Sequence, residues 1–407
     1  MSRRCHNRGR LCCLALCLGG AWLAPLASAL ILGGDVAVQT APPADDPGWA
    51  NVVSPNGCSG VYLGNRWVIT AGHVGAGSVV VSSVTYGVQP GSVIRLRTAD
   101  GSGDTDLTLF RLTADPGLPA VALISAPLPN GTVVTMIGFG CTRGAAVSYN
   151  ASWELDGAPV EYGGYLWGSP AKNWGTNQIA GSPVSGDDGY GLIVAYRTTF
   201  TSGPGATSDE AQGAVFDSGG GIFAEVGDGW RLAGIMVTID TYSGQPGSTA
   251  ILGNATYSME LSTYRSQIEA VRALSSGYDI WQYAQFRGAE TTATADPDGD
   301  GFTNLEEYAY GLDPRVKDAA SVAPQIVLAS YADGLALTAT LTHNTAATDV
   351  TLVVEASDDL VTWSSGAGVT PTVSSTDLGN NLERLVVRDV ATTAGAGRRF
   401  LRVRVAR

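Results

Sequence analysis

The sequence predicts a mostly β protein with more than one domain. Its 407 residues are enough for two or three domains. Hydrophobic residues make up 44% and charged residues 15%, which excludes a broadly disordered chain. Up to residue 274, short apolar runs alternate with clusters of Gly, Pro, Ser and Asn, and this spacing favours an antiparallel sandwich or barrel over βαβ units. The clearest apolar runs are 67–70, 107–112, 132–137, 192–196 and 232–239.

Residues 1–29 have the three parts of a secretory signal peptide. Four arginines make its start basic, and residues 11–23 are mostly apolar but too short to span a bilayer. Ala27-Ser28-Ala29 supplies the small residues that a signal peptidase needs. The alternative is a membrane anchor. We expect a secreted protein, extracellular or periplasmic after removal of the signal peptide, with no transmembrane anchor.

Removal of this segment makes an acidic chain more acidic. The formal charge changes from −13 to −17, because the segment carries four Arg and no acidic residue. Nucleic acid binding depends on clustered Lys and Arg that neutralise phosphates, so we expect no nucleic acid partner. The removal also leaves His73 and His343 as the remaining histidines, and only His73 precedes residue 274.

The composition divides the mature chain into a first β domain and a tail. The first domain, 30–274, is expected to end in a helix, and 275–295 is polar and predicted to be a linker. The helix is indicated by four apolar residues that share one helical face: Leu261, Tyr264, Ile268 and Val271.

The tail has two parts. Residues 296–322 hold a charged loop and a short helix that Gly311 and Pro314 end. Residues 323–407 are strand-like again, and Arg402 and Arg404 alternate with apolar residues in the last strand, which places the arginines on its solvent face.

His73 follows the apolar run 67–70, where the end of a strand can hold a side chain rigidly. Imidazole, with an unperturbed pKa of about 6.5, is well suited to act as a general base near neutral pH. The alternative for a lone His is a buried structural residue. His73 is therefore interesting only together with other groups.

Ser218 and Asp106 supply those groups. Ser218 lies in Phe216-Asp217-Ser218-Gly219-Gly220-Gly221, where glycines permit a tight turn and close approach of a substrate backbone. A serine nucleophile needs an adjacent base, and the resulting imidazolium needs a carboxylate. Asp106 heads an alternating strand and is the expected carboxylate, while Asp104 is its rival.

The order His73, Asp106, Ser218 resembles the trypsin/chymotrypsin family of serine endopeptidases. The motifs are W-V-I-T-A-G-H, D-L-T-L-F-R-L and D-S-G-G, and the likeness covers 30–274. It implies two six-stranded antiparallel β-barrels with a cleft between them. It also implies hydrolysis through an acyl-enzyme without a catalytic cofactor, with Ser218 as nucleophile, His73 as base and Asp106 as its orienting carboxylate.

The likeness assigns the oxyanion hole to the backbone N–H groups of Phe216 and Ser218. The family has Gly where this chain has Phe216, and a Cβ there opposes the backbone conformation that aims the N–H. An alternative alignment treats 214–216 as an insertion. Val237 stands where the family usually has a serine that hydrogen-bonds the triad Asp. These departures favour an inactive homologue as the alternative.

Asp217 would pair with the new N-terminal ammonium of Ile31 in a family zymogen. Cleavage after Ala29 would leave Leu30 in front of Ile31. Either one further residue is trimmed, or this protein orders its site without that pair.

The likeness places the specificity pocket at Gln212, Val237 and Ile239. Gln212 stands where an Asp would bind Arg or Lys, and Ile239 stands where an open pocket has Gly. We expect a shallow pocket for small or medium apolar side chains. Asp209 and Glu210 would restore a preference for basic residues if the loop alignment is shifted.

Cys58 and Cys141 are the only cysteines after residue 29. The likeness brings their segments near the oxyanion loop, so in an oxidising compartment they form one nonstandard disulfide or remain two buried thiols. A metal site would need more ligands.

The segment 296–307 fits the pattern D-x-D-x-D-G-x5-E of an EF-hand-like loop. Carboxylate, carbonyl and amide oxygens at this spacing are the ligands that Ca²⁺ prefers. Because the loop is single, we expect a structural Ca²⁺. The predicted ligands are Asp296, Asp298, Asp300, the Phe302 carbonyl, Asn304 and Glu307.

The tail motifs D-P-D-G-D-G-F-T-N-L-E-E-Y-A-Y-G-L-D-P, V-E-A-S-D-D-L-V-T-W and R-F-L-R-V-R-V resemble C-terminal modules of secreted bacterial proteins. That resemblance implies a calcium loop followed by a small β-sandwich, with a cell-surface or matrix target and no catalytic role. The sequence thus predicts a secreted serine endopeptidase acting on protein or peptide substrates. The alternative is a catalytically impaired, protease-like binding or adhesion protein.

Overall fold

The protein is mostly β, as the sequence predicted, and its described residues contain three α-helices. The computed structural model describes residues 30–35, 38–289, 291–395 and 397–407. The expected signal peptide, 1–29, lies outside the described residues. In the described part of the chain, no helix combines the length and the apolar character needed to cross a membrane.

The first half of the β domain is a curled antiparallel sheet with the order β7-β8-β4-β3-β2. Trp67, Ile69 and Leu109 are fully buried in the core that the sheet encloses. Its sheet has five strands where six were expected, because β5 and β6 are short and pair only with each other. The strands are β2 (Val52–Val53), β3 (Gly60–Gly64), β4 (Trp67–Ala71), β5 (Val79–Val81), β6 (Val84–Tyr86), β7 (Ile94–Arg97) and β8 (Asp104–Arg111).

The second half has six strands in the order β12-β9-β16-β17-β19-β14, all antiparallel. Its two edges meet, because Ile179 and Thr198 form a β-bridge and the Ala180 N–H donates to the Arg197 carbonyl at 2.8 Å. The six strands are β9 (Val133–Gly138), β12 (Asn173–Gln178), β14 (Leu192–Thr199), β16 (Gly221–Val226), β17 (Gly229–Asp240) and β19 (Ala255–Glu260). Outside this order, β13 (Val184–Asp187) pairs with β14.

Two further sheets and a parallel contact complete the domain. A three-stranded sheet contains β10 (Cys141–Tyr149), β11 (Tyr162–Pro170) and β18 (Thr249–Ile251), and β1 (Ile31–Leu32) pairs with β15 (Ala211–Gln212). The two halves join where Leu192 of β14 lies beside Thr105 of β8. This junction is one residue from Asp106.

The helix α1 (Leu261–Ala273) closes the domain and buries the four residues expected from its periodicity. The predicted linker is not irregular, because 275–295 contains α2 (Gly277–Phe286), which the Ser276 hydroxyl caps. Ile280 of α2 packs into the core of the first domain, while Tyr278 packs against Tyr308 of the tail. The stretch predicted as a linker therefore contains a helix that contacts both modules.

The tail begins with the acidic loop and α3 (Asn304–Tyr310), which starts at a Thr303 capping box and ends at Gly311. Two small sheets follow, with the orders β20-β21-β24-β23 and β22-β25. Leu341, Val354 and Val387 from both sheets share one core, which makes a small sandwich. The strands are β20 (Gln325–Tyr331), β21 (Gly334–Asn344), β22 (Thr351–Ser357), β23 (Thr372–Gly379), β24 (Leu382–Arg388) and β25 (Phe400–Ala406).

Candidate active site

His73 and Asp106 are held together by the pairing of β4 with β8. Ala71 lies opposite Leu107, and the Gly72 N–H donates to the Asp106 carbonyl at 3.1 Å. His73 Nδ1 lies 2.7 Å from Asp106 Oδ2, and the His73 backbone N–H donates to Oδ1 at 2.9 Å. A carboxylate that accepts from Nδ1–H leaves Nε2 as the acceptor, which is the nitrogen a general base uses.

The Asp106 carboxyl is completely buried. Burial raises its pKa, but the hydrogen bond from His73 and the charge of that ring lower it more, so the pKa lies below its ordinary value. Arg95 adds a cation, because its Nη2 lies 3.6 Å from Asp106 Oδ1. Asp106 is therefore an ionised partner for His73. The rival Asp104 is exposed and pairs with Arg287 at 2.8 Å.

Ser218 lies in the turn between β15 and β16, against the first half of the domain. The Ser59 N–H donates to the Ser218 carbonyl at 3.0 Å. The next residue, Gly219, has φ +89°, and a Cβ there would overlap the Ser59 carbonyl oxygen. The turn therefore requires glycine, because Ser59 and, from β4, Thr70 lie directly against it, and β4 leads to His73.

The Ser218 hydroxyl donates to the Val237 carbonyl at 3.4 Å. Within the described residues it makes no hydrogen bond to His73. Transfer of its proton to Nε2 requires a rotation about the Cα–Cβ bond of Ser218. Catalytic hydrogen bonds commonly tighten only when substrate is bound, so this geometry is compatible with a nucleophile.

Phe216 adopts the backbone conformation that its Cβ was expected to oppose. Its φ is +74°, and the Ser59 hydroxyl donates to its carbonyl at 3.0 Å. A left-handed non-glycine residue costs roughly 1–3 kcal/mol, which the surrounding contacts must offset. In the part of the chain that the structure describes, the N–H groups of Phe216 and Ser218 donate to no protein acceptor. Both remain available to a ligand.

Asp217 is buried below this turn and receives three backbone donors. The N–H groups of Gly140 and Ala214 each donate at 2.9 Å, and the third donor is the backbone nitrogen of Leu30. Burial raises the pKa of Asp217 to about 7, although these three hydrogen bonds oppose the rise. Leu30, and not Ile31, thus reaches this carboxyl, one residue earlier than the family likeness implied. Leu30 is itself fully buried.

A cavity of about 140 Å³ lies beside Ser218. Val237 and Ile239 line it, as the sequence suggested, but Gln212 does not, because its amide points to the Ala255 carbonyl at 3.1 Å. The remaining lining residues are Gly213, Ala214, Val215, Asp217, Met236, Thr238 and Thr256.

Neither acidic residue of the shifted alignment lines this cavity. Glu210 accepts from Thr201 and Thr207, and Asp209 accepts from Gln39 at 2.7 Å. Because the carboxylates of Asp209 and Glu210 lie outside the cavity, they supply no negative charge for a basic side chain bound in it.

Cys58 and Cys141 are free thiols in the structure, so of the two alternatives it contains the unpaired one. Burial, followed by the charge of Asp217, raises the pKa of both, for Cys141 to about 11. Protonated thiols of this kind are poor nucleophiles.

The acidic loop holds several buried oxygens that have no donor. Glu307 is completely buried, and within the described residues neither of its carboxylate oxygens has a hydrogen-bond partner. Asp298 Oδ2 and Asn304 Oδ1 are also buried and have no partner in this part of the chain. Burial, followed by the charges of the neighbouring aspartates, raises the pKa of Glu307 to about 8. Unsatisfied oxygens that converge in this way fit a hard cation such as Ca²⁺.

Asp318 joins this loop, although the sequence pattern did not include it. Oxygens of Asp300, Glu307 and Asp318 lie within 4.8 Å of one another, as do those of Asp296, Asp298 and Asp300. The Asp318 N–H donates to Asp300 Oδ2 at 2.8 Å. A residue eleven positions after the end of the loop pattern gives no spacing signal, so only the fold identifies it.

The sequence did not indicate that the turn between β13 and β14 belongs to the site. The Tyr190 ring stacks on the His73 ring with centroids 4.6 Å apart, and Asp188 lies within hydrogen-bonding reach of Asp106. The segment Asp187-Asp188-Gly189-Tyr190-Gly191 indicates only a turn.

Comparisons with known proteins bear on the first domain. Residues 35–155 match the family model Trypsin, a span that includes His73 and Asp106 but ends before Ser218. The solved structure of the NS6 protease from murine norovirus 1 aligns with 18% identity and a TM-score of 0.27, covering 52% of this chain and 90% of that chain. A TM-score this low supports no argument. No curated protein sequence matches the chain. The family match shows that residues 35–155, the span that contains the His73–Asp106 pair, are similar to trypsin-like serine protease domains.

Proposed function

We propose that the chain is a secreted serine endopeptidase in which Ser218, His73 and Asp106 form the catalytic triad. The observation that carries this proposal is the buried His73–Asp106 pair at 2.7 Å, with a glycine turn holding Ser218 against the same half of the domain. Ionised Asp106 fixes the tautomer that leaves Nε2 free to take the serine proton. The family match supports the peptidase class.

In the proposed reaction the Ser218 hydroxyl turns from the Val237 carbonyl toward His73 Nε2. Its oxygen attacks the scissile carbonyl as the proton moves to Nε2, and the free N–H groups of Phe216 and Ser218 bind the oxyanion. Loss of one such donor typically costs about 10²- to 10³-fold in rate. His73 then protonates the leaving amine, and water releases the acyl group by the same steps in reverse order.

The position of Leu30 supports removal of the signal peptide after Ala29. Asp217 is a buried carboxyl with only neutral donors, and one of them is the backbone nitrogen of Leu30. Cleavage before Leu30 would convert that nitrogen into an ammonium. Signal peptidase would then create the cation for Asp217 directly, and no further trimming would be needed.

The cavity beside Ser218 supports a preference for small or medium apolar side chains at the cleavage site. Its volume is about 140 Å³, and Met236, Val237 and Ile239 line it. The only carboxyl in its lining is Asp217, which is occupied by backbone donors.

The acidic loop is proposed to bind one structural Ca²⁺. The predicted set is Asp296, Asp298, Asp300, the Phe302 carbonyl, Asn304 and Glu307. It is supported by the unpartnered buried oxygens of Asp298, Asn304 and Glu307 among the described residues. It is also supported by the close approach of Asp296, Asp298 and Asp300, and Asp318 joins the set through Asp300 and Glu307. A bound cation would neutralise charges that otherwise repel one another. Calcium titration of the full chain by calorimetry tests this, and absence of binding at millimolar Ca²⁺ would reject it.

The sandwich is proposed to bind a cell-surface or matrix target. Ile326, Val327 and Leu328 are exposed on the edge strand β20, where an apolar surface is unusual. Pelleting of the full chain with bacterial cells, compared with the Val327→Asp variant, tests this part. Equal recovery of both proteins would reject it.

A fluorophosphonate probe tests the catalytic proposal, because it phosphonylates only an activated serine and releases fluoride. We expect stoichiometric labelling of the protein that begins at Leu30, and none for Ser218→Ala. Ser202→Ala, at an exposed serine outside the helices and strands, is the matched control.

The alternative is a protease-like binding protein without activity. The hydrogen bond of Ser218 to Val237 favours it, because the hydroxyl is not engaged with its base. Absence of labelling in calcium-loaded protein that begins at Leu30 would support this alternative and reject the peptidase.

A further inference from the structure

The turn between β13 and β14 packs against the His73–Asp106 pair from the second half of the domain. The Tyr190 ring stacks on His73 at 4.6 Å with an interplanar angle of 29°. Gly191 lies so close to the Thr105–Asp106 peptide that a Cβ would come within 2.7 Å of the Asp106 nitrogen. The turn is therefore fitted to this one place on β8.

Asp188 projects from the same turn and is only half satisfied. Its Oδ1 accepts from the N–H groups of Tyr190 at 2.9 Å and Gly191 at 3.0 Å. Its Oδ2 is buried and has no donor among the described residues. The Asp188 carboxyl lies within hydrogen-bonding reach of the Asp106 carboxyl.

Two carboxyl groups can hydrogen-bond to each other only if one of them carries a proton. Asp106 is held ionised by His73, and its pKa lies below the ordinary value. The pKa of Asp188 is raised, first by burial and then by the charge of Asp106. The proton therefore belongs on Asp188.

The other charged groups around the pair are few. Arg95, on β7, reaches Asp106 Oδ1 at 3.6 Å and also donates to the Tyr190 carbonyl. His73 follows β4, and Asp187 is exposed on the turn, where it accepts from the Gly189 N–H. Arg95 and His73 both favour the ionised form of Asp106, and no cation in this group contacts the Asp188 carboxyl.

We propose that Asp188 is a positioning residue that, as a neutral acid, donates a hydrogen bond to Asp106. It supplies from β13–β14 the donor that Val237 does not provide from β17. The donor fixes the carboxylate in the orientation that receives His73 Nδ1–H. This inference rests on the proposed peptidase activity for its kinetic consequence, but not for its structural one.

Loss of the proton from Asp188 determines how the proposed hydrogen bond to Asp106 depends on pH. A raised pKa keeps the neutral acid present to higher pH than an ordinary Asp, and the donor is lost as pH rises through that pKa. Above it, two carboxylates face one another and the orientation of Asp106 is no longer fixed. The turnover number kcat should then decline as pH rises through the pKa of Asp188.

Asp188→Asn and Asp188→Leu separate positioning from mere packing. The amide of Asn donates at every pH, so Asp188→Asn should keep kcat within about threefold and lose this decline. Leu has no donor, so kcat should fall about 10- to 100-fold, as expected for a hydrogen bond to a charged group, with KM little changed. Asp187→Leu, in the same turn but exposed, is the matched control.

A proton NMR signal for His73 Nδ1–H gives a readout that needs no activity. It should be retained in Asp188→Asn and shifted or broadened in Asp188→Leu, with melting temperatures of all variants compared. The inference is overturned if Asp188→Leu matches the wild type in kcat and in this signal, or if Asp188→Asn is as impaired as Asp188→Leu. If fluorophosphonate labelling fails in the wild type, the peptidase proposal is lost and the NMR comparison alone decides the role of Asp188.

Discussion

The candidate active site and the acidic loop each bury a carboxylate completely, but they differ in what surrounds its charge. Asp106 accepts two hydrogen bonds from His73 and lies near Arg95, and its pKa is lowered. Glu307 has no donor, faces other carboxylates, and its pKa is raised to about 8. The first site is complete within the chain, whereas the second has the donor set of a site completed by a cation.

Asp217 lies between these two extremes. It has three backbone donors and no cationic partner among the residues that the structure describes, and its pKa is raised to about 7. The three buried carboxylates thus differ in how much of their counter-charge the chain supplies, from Asp106 with the most, through Asp217, to Glu307 with the least. Changing each one, or its partner, tests that order.

The largest effect is expected for Asp106→Asn. An amide keeps the shape but favours the wrong tautomer of His73, so kcat should fall about 10⁴-fold with the fold intact. Steady-state kinetics on a peptide substrate measures it. Asp104→Asn, two residues away and exposed, should change kcat little, and equal losses in the two variants would contradict the assignment of Asp106.

The next effect concerns the residue before Leu30. A protein that retains Ala29 has an amide instead of an ammonium beside Asp217, and breaking a buried pair costs about 3–5 kcal/mol, so activity should drop roughly 100-fold or more. Kinetics of proteins that begin at Ala29 and at Leu30 give the comparison. Equal activities would show that Asp217 needs no cation.

The same pair predicts a pH dependence. In the extended protein the pKa of folded Asp217 is raised to about 7, so its stabilising contribution is present below the ordinary pKa of 3.8 and is lost as pH approaches 7. The Tm of the extended protein should therefore fall over this range relative to the protein that begins at Leu30. Parallel Tm curves for the two proteins would contradict the prediction.

Removal of calcium should have a smaller effect. A ligand at 100 times its dissociation constant adds about 2.7 kcal/mol to the state that binds it, so chelation should lower the Tm of the full chain. Glu307→Gln should lose most of this response. Glu306→Gln is the matched control because Gln preserves the capping box of α3. An unchanged calcium response in Glu307→Gln would remove Glu307 from the site.

The smallest effect is expected in the cavity. Ile239→Ala removes three carbons from its wall and should raise kcat/KM for a larger apolar residue about tenfold relative to Ala, since each methylene is worth roughly 1–3 kcal/mol. A peptide series differing at one residue measures it. Val226→Ala, on an exposed part of β16, should leave the ratio unchanged. A strong preference for Arg or Lys in the unmodified protein would contradict the assigned pocket.

The sequence carried the local parts of this structure well. The spacing of Leu261, Tyr264, Ile268 and Val271 predicted α1, and the loop pattern predicted which residues of 296–307 converge. Each of these depends on contacts between residues close in the chain. Glycine at 219 was likewise readable as a turn requirement.

Contacts between residues far apart in the chain could not be predicted from the sequence. Asp188 meets Asp106 across 82 positions only because β14 lies beside β8, and nothing in the spacing of the two acids indicates it. Gln212 was expected in the specificity pocket because of its position in the sequence relative to Ser218. Its side-chain amide instead donates to the Ala255 carbonyl. Phe216 contradicted its own propensity, since its neighbours hold a conformation that Phe alone disfavours.

The helix α2 has a consequence for how the molecule breaks. Ile280 belongs to the core of the first domain and Tyr278 to the core of the tail, so one rigid turn is shared by both. Cleavage of the chain before this helix would expose apolar surface both on the first domain and on the tail. The tail therefore stabilises the first domain and is not an independent appendage. A change that destabilises either part should also affect the unfolding of the other.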